Sequence, residues 1–270
     1  MLRKGFLHRD VSIGNTLMLD PPVTMKPFEV WTIEELMSTL TLQYEGELAK
    51  YAKLLEDAIE KMGRSDECHG FIIDGDMAAK LKGYFTSRDT GDASVSIHLV
   101  VWGAWLLTSM QGTYEFMSTK LVETLEYPEP HLHSPVDDLE SFYYMAQWAV
   151  AFNDGMNGKR HDGIKIRRFR EMIAGDRREQ AVIKVRQDIS PRTAEADYGL
   201  FFARSLPLLA PWREKLVTLS RGWVDVMDEA AELNEMDMEE NMGLKFLIYA
   251  YRGVAEYLEL VHQLCASLQV

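Results

Sequence analysis

The residues with the clearest chemical potential lie near the start of the chain. From His8 to Asn15 the sequence reads His-Arg-Asp-Val-Ser-Ile-Gly-Asn, which fits the pattern H-R-D-x-x-x-x-N. In this pattern the aspartate accepts the proton of an attacking hydroxyl, and the asparagine reaches a metal ion on phosphate groups. The spacing therefore favours phosphoryl transfer, with Asp10 as the base and Asn15 as a metal ligand. The alternative is a surface turn with a chance charge pair.

Three further elements follow in a fixed order. Gly70 to Ile73 is an apolar strand pattern, and Asp74 stands directly after it, ahead of a loop. Gly112 to Ser118 has the form of the end of a substrate-binding segment, and Asp137 to Phe142 that of the start of a buried helix. Four such elements in a fixed order identify a family far more specifically than any one of them does.

Together these elements resemble the fungal-type protein kinase family over roughly residues 5–148. Four phrases carry the resemblance: Gly-Phe-Leu-His-Arg-Asp-Val-Ser-Ile-Gly-Asn, Ile-Ile-Asp-Gly-Asp-Met-Ala, Gly-Thr-Tyr-Glu-Phe-Met-Ser and Asp-Asp-Leu-Glu-Ser-Phe-Tyr-Tyr. The resemblance implies transfer of a phosphoryl group from ATP, with Mg²⁺, to Ser or Thr of a protein.

By this resemblance Asp10 is the catalytic base, and Asn15 and Asp74 hold the metal and the nucleotide. Arg9 links the catalytic loop to the activation segment, and Ser12 belongs to the catalytic loop. For Asp10, Asn15 and Asp74 the alternative is a catalytic fold retained after activity was lost.

Three more residues have structural roles by the same resemblance. His8 belongs to the catalytic-loop motif, Thr113 helps to shape the substrate platform, and Asp138 hydrogen-bonds the catalytic-loop backbone. Ordinary helix-start and turn chemistry is an equal alternative for Thr113 and Asp138.

Several features depart from the kinase pattern. No glycine-rich loop, strand lysine or helix glutamate precedes Asp10, so we expect a C-terminal lobe without its N-terminal lobe. Ser12 stands where most protein kinases place a phosphate-contacting lysine, as it does in the fungal family. Gly75 and Asp76 replace Phe-Gly, and Lys120 falls where the activation segment usually ends in a glutamate that pairs with an arginine lower in the lobe.

The resemblance implies a kinase-like C-lobe, mainly α-helical, with a few short β-strands around Asp10 and Asp74. Residues 1–152 form its core, and residues 153–270 form a helical part with a basic insert and a long last helix. Ser134, Pro135 and Asp137 predict the start of a buried central helix that extends to about Phe152. Its buried face is predicted to contain Leu139, Phe142, Tyr143, Ala146, Ala149 and Val150.

The last helix has an apolar residue at every third or fourth position from Leu244 to Leu268. Its apolar face is too broad for the seam of a two-stranded coiled coil, because Ile248, Tyr257 and Leu264 stand where charges are usual. We therefore predict a core helix.

Charge and composition bound the possible partners. The chain has 270 residues and a net charge of −13, which argues against nucleic acid and membrane surfaces because both are polyanions. Cys68 and Cys265 cannot build a disulfide framework, so we expect an intracellular protein, cytoplasmic or nuclear. A basic segment at 159–186 is predicted to be a solvated loop and helix face, or alternatively a docking patch for an acidic partner. An acidic block at 225–240 is predicted to be exposed.

Residues 93–114 contain no charged side chain. The unbroken apolar run within them is shorter than the ~20 residues of a membrane span, so a buried strand or short core helix is favoured. Their unlike composition also suggests that residues 93–111 are a translated intron.

Three functions stay open from the sequence. The first is a protein kinase, in a truncated form. The second is a pseudokinase or interaction protein that binds a regulatory protein. The third is a small-molecule phosphotransferase, suggested by Ser12 and disfavoured by Arg9 and by Gly112-Thr113. The sequence leaves the substrate and the oligomeric state undetermined.

Overall fold

The computed structural model of the protein is mainly helical, with short paired strands near the N-terminus. It describes residues 6–7, 11–12, 15–24, 46–63, 67–72, 79–80, 114–127, 131–153, 163–175, 177–187, 189–230 and 235–268. The uncharged stretch lies outside them, except Tyr114. Among the described residues, no helix is both long enough and apolar enough to cross a membrane.

Four strands form two antiparallel pairs. β1 (Phe6–Leu7) pairs with β4 (Ala79–Lys80), and β2 (Thr16–Thr24) pairs with β3 (Glu67–Ile72). The β2–β3 register shifts between Met18 and Val23, where Pro21 and Pro22 supply no backbone N–H to the ladder. The strands therefore flank the positions of Asp10 and Asp74, as the sequence predicts.

Eight helices account for most of the remaining described residues. In chain order they are α1 (Gly46–Met62), α2 (Thr119–Glu126), α3 (Pro135–Phe152), α4 (Ile164–Ile173), α5 (Arg178–Gln187), α6 (Pro191–Tyr198), α7 (Leu200–Ala230) and α8 (Glu235–Leu268). A short 3-10 helix, Tyr114–Phe116, precedes α2.

Helix α3 is the buried centre of the helical part. It packs against α2, α4, α7, α8 and the 3-10 helix, so the predicted hub is confirmed. Ser134 caps its first turn and Pro135 is its first residue, as predicted. The predicted buried face is wrong at Ala149, which is exposed, whereas Tyr144 and Gln147 are buried. Because α3 is covered on more than one side, its burial does not follow a single stripe.

The last helix is a core helix over its first half. Leu247 and Tyr251 are fully buried, as predicted, and Leu244 and Leu258 are partly buried. Cys265, near the end of the predicted apolar face, is exposed.

Helix α1 lies between β2 and β3 in the chain and packs on α8. The Arg252 guanidinium lies 5.7 Å from the centre of the Tyr51 ring, and Lys61 Nζ lies 2.8 Å from Glu259 Oε2. The second contact lies further along both helices than the first, so the two helices run parallel. This helix was not predicted from the sequence.

Candidate functional site

The turn that ends the catalytic-loop pattern is held by Ser12. Its side chain is buried, and its Oγ accepts a hydrogen bond from the backbone N–H of Asn15 at 3.3 Å. The Ser12 carbonyl accepts two more, from Asn15 N–H at 3.2 Å and from Thr16 Oγ1 at 2.9 Å. Short hydroxyl side chains commonly close turns in this way. Ser12 therefore fixes the backbone of Asn15.

The same turn contacts the central helix. Thr16 Oγ1 lies 3.2 Å from the sulfur of Met145 on α3. Asp138 stands in the first turn of that helix, so α3 carries one predicted site residue and touches the turn that carries another.

The strand register brackets the two segments predicted to bind metal. Leu7 and Thr16 flank the catalytic-loop pattern, and they pair with Ala79 and Ile72 respectively. These two partners flank the segment that contains Asp74. Each end of one segment is therefore next to a strand residue that pairs with a strand residue at one end of the other segment.

Five predicted site residues lie outside the described residues: His8, Arg9, Asp10, Asp74 and Thr113. Their predicted roles stay predictions. Within the described part of the chain, no group of three or more His, Cys, Asp and Glu side chains could hold a metal ion.

Asp137 joins the start of α3 to the residues before α2. Its Oδ2 accepts the Ser134 backbone N–H at 2.7 Å and lies 3.1 Å from His131 Nε2, and its Oδ1 accepts the Ser118 hydroxyl. Burial opposes its ionisation, but the charges of His131 and His133 and the bonds from His131 and Ser118 outweigh burial. They hold the pKa of Asp137 well below its usual range.

Asp138 is also buried, and its Oδ1 lies 3.0 Å from His133 Nε2. The sequence predicted a different role, a hydrogen bond to the catalytic-loop backbone. That role stays a prediction. The structure adds His133 as a partner of Asp138.

Residues 114–119, called here the anchored segment, are held by a buried arginine. Arg178, the first residue of α5, donates to the Tyr114 carbonyl at 2.9 Å and to the Ser118 carbonyl at 3.3 Å. Its guanidinium stacks 4.3 Å from the centre of the Tyr144 ring. The prediction of a solvated basic face is therefore wrong at Arg178, because the backbone carbonyls and the ring compensate for its loss of hydration.

A buried ion pair holds the other end of the anchored segment. Glu140 Oε2 accepts the Thr119 backbone N–H at 2.8 Å, and Glu140 Oε1 accepts from Arg213 at 2.8 Å. Burial disfavours the charge on Arg213, but Glu140 outweighs burial and raises the pKa of Arg213. Lys120, where the sequence predicted a reversed charge, lies 3.3 Å from Glu123 on its own helix.

A comparison with known families covers the part of the chain that contains the loop, the strands and the central helix. The model of a family described as fungal protein kinase matches residues 1–150, which is more than half of the chain. The chain belongs to the fungal protein kinase family. No curated protein and no solved structure matches it. The mainly helical fold is compatible with the C-terminal lobe of a kinase. The family name indicates a kinase-like protein of the transferase class.

The residues that hold the anchored segment were not predicted from the sequence. Glu140 left a signal, because an acid next to Leu139 on a helix predicted to be buried requires a partner. Arg178 and Arg213 left none, since each lies on a helix that also carries exposed charges.

Proposed function

We propose that this fungal protein kinase transfers the γ-phosphoryl group of ATP to a Ser or Thr hydroxyl of a protein substrate. The observation that carries the proposal is the strand register: Leu7 with Ala79 and Thr16 with Ile72 connect the ends of the two segments that contain Asp10 and Asp74. A phosphoryl-transfer site needs its base and its metal ligands on adjoining segments.

Each group has a definite task in the proposed reaction. The substrate oxygen forms a bond to the γ-phosphorus, the bond from that phosphorus to the bridging oxygen breaks, and ADP leaves. Asp10 accepts the hydroxyl proton. Asn15 and Asp74 supply amide and carboxylate oxygens, which Mg²⁺ accepts as ligands. Magnesium, when bound, neutralises charge on the phosphates.

Five residues would orient or complete this site. Ser12 holds the Asn15 backbone in its turn, as its hydrogen bond indicates. Arg9 would connect the loop to the activation segment, Asp138 would fix the loop backbone, and Thr113 would shape the platform for the peptide. His8 would complete the loop motif.

The test is phosphate transfer by the full chain. The protein is incubated with radiolabelled ATP, Mg²⁺ and a Ser/Thr peptide library, and Asp10→Asn and Asp74→Asn are compared with Asp225→Asn, whose side chain is exposed on α7. We expect transfer by the wild type and Asp225→Asn, and loss in the other two variants. Transfer that is unchanged in Asp10→Asn would contradict the proposal.

A non-catalytic interaction protein is the second candidate, and the exposed arginines of α4 favour it. A partner would be acidic and would bind α4, where Arg167 and Arg168 are exposed.

Thermal-shift titration with Mg-ATP separates the two candidates. A ligand that binds the folded chain raises the midpoint of unfolding. A clear rise, with transfer to peptides, supports the kinase. No rise and no transfer support the interaction protein, and transfer to hydroxyl-bearing metabolites instead of peptides indicates a small-molecule phosphotransferase.

A further inference from the structure

The anchored segment is fixed through its backbone by side chains of other elements. Arg178 of α5 bonds two of its carbonyls, Tyr114 O and Ser118 O. Glu140 of α3 bonds the Thr119 N–H. Backbone bonds set the position of a segment whatever its own side chains are, so these contacts determine where residues 114–119 lie.

The Glu140–Arg213 pair joins two helices at a large cost in desolvation free energy. The two side chains are 5% and 11% exposed, so both charges have lost most of their water. A buried pair of this kind commonly stabilises a fold no better than apolar residues of similar volume. Its geometry is what apolar residues cannot supply, because one Glu140 oxygen faces Arg213 and the other faces Thr119.

The position where the kinase pattern expects an acid supplies none. Lys120 follows Thr119 directly and forms an ion pair with Glu123, and the two side chains are 41% and 56% exposed. The carboxylate that meets an arginine comes from Glu140 of α3 instead, and the arginine is Arg213 of α7.

We infer that Glu140 is a positioning residue, which, together with Arg178 and Arg213, fixes the end of the activation segment in place of the acid that Lys120 replaces. The inference rests on the proposed kinase function. Thr113, which would shape the peptide platform, lies next to Tyr114, so the anchor should act on peptide binding and leave nucleotide binding unchanged.

The decisive variant is Glu140→Met/Arg213→Met in the full chain. Because two apolar side chains replace a buried pair, we expect the thermal midpoint to stay close to the wild-type value. Hydrogen exchange of the Thr119 amide should accelerate by roughly tenfold, which is the effect of losing one hydrogen bond. The KM for a peptide substrate should rise, with the affinity for Mg-ATP unchanged.

The matched control is Lys53→Met/Asp57→Met, which removes an exposed ion pair of α1 in the same manner. It should change neither exchange at Thr119 nor the peptide KM. If the decisive variant does not fold, Arg178→Lys replaces it: one ammonium cannot reproduce the two-carbonyl geometry, so exchange over residues 114–119 should again accelerate.

Wild-type exchange at Thr119 in the folded decisive variant, or across residues 114–119 in Arg178→Lys, would overturn the inference. So would a changed exchange with an unchanged peptide KM in an active enzyme. If the wild type transfers no phosphate to any peptide, the proposed function fails instead, and the exchange measurement still decides whether Glu140 fixes the segment.

Discussion

The contacts of the anchored segment and the contact between α1 and α8 both join parts of the chain that are far apart in sequence. They use different kinds of interaction. The first uses buried charges and backbone hydrogen bonds from Glu140 and Arg178. The second buries Leu48 and Ala52 on one face of α1 and leaves the Lys61–Glu259 pair largely exposed.

The difference shows that apolar contact holds two elements together, whereas a buried charge pair also fixes their relative position. Apolar contact is favourable over a range of small displacements, because its free energy follows the buried area. A buried charge pair is favourable in a narrow range of geometries, because an incomplete partner leaves the desolvation cost uncompensated. The protein uses the buried charge pair next to its proposed substrate platform, and it uses apolar contact where two helices have only to stay together.

Replacing Arg213 by alanine should produce the largest effect. It leaves the Glu140 carboxylate buried without its cation, which typically costs about 3–5 kcal/mol. The free energy of unfolding from urea titration measures the loss. Lys215→Ala, on the same helix with a half-exposed side chain, should cost about 0.5 kcal/mol or less. Equal losses in the two variants would remove the distinction between buried and exposed charge.

Truncating the apolar contact should cost nearly as much. Leu48 is fully buried, so Leu48→Ala loses buried area and leaves a cavity, at about 2–5 kcal/mol. Leu54 lies on the same helix with 45% exposure, and Leu54→Ala should change the free energy of unfolding by about 0.5 kcal/mol or less. A small loss in Leu48→Ala would show that α1 contributes little to the fold.

The pH dependence of stability should report on Asp137. Its pKa in the folded chain lies below the usual 3.8. Its contribution is therefore complete above that value and is lost as the pH falls towards the folded pKa. Urea unfolding at about pH 5 and about pH 3 should show this loss in the wild type and a smaller loss in Asp137→Asn. Asp225→Asn should retain the wild-type dependence, and a wild-type dependence in Asp137→Asn would contradict the assignment.

The smallest effect is expected at the exposed pair of the α1–α8 contact. The Lys61 and Glu259 side chains are 51% and 39% exposed, and such pairs commonly contribute nothing measurable. Lys61→Met should leave the urea midpoint within experimental error. A clear decrease would show that charge as well as apolar area holds α1 on α8.

Local structure was predictable from the sequence of this protein. Ser134, Pro135 and Asp137 specify the start of α3 because a cap and its partner lie within one helical turn. The strands around the positions of Asp10 and Asp74, the central helix and the last core helix follow in the same way from periodicity and motif order. The roles of Asp10 and Asp74 remain predictions from the family pattern.

Partnerships over long distances were decided by tertiary structure. Glu140 meets Arg213, 73 residues later, and Arg178 meets Tyr114, 64 residues earlier. Nothing in the local sequence selects these partners, because they depend on how α3, α5 and α7 pack around the anchored segment. The sequence by itself determined the family, the order of the motifs and the start of α3. The tertiary structure decided which charges are buried, since a charge gains a fixed partner only when packing removes its water.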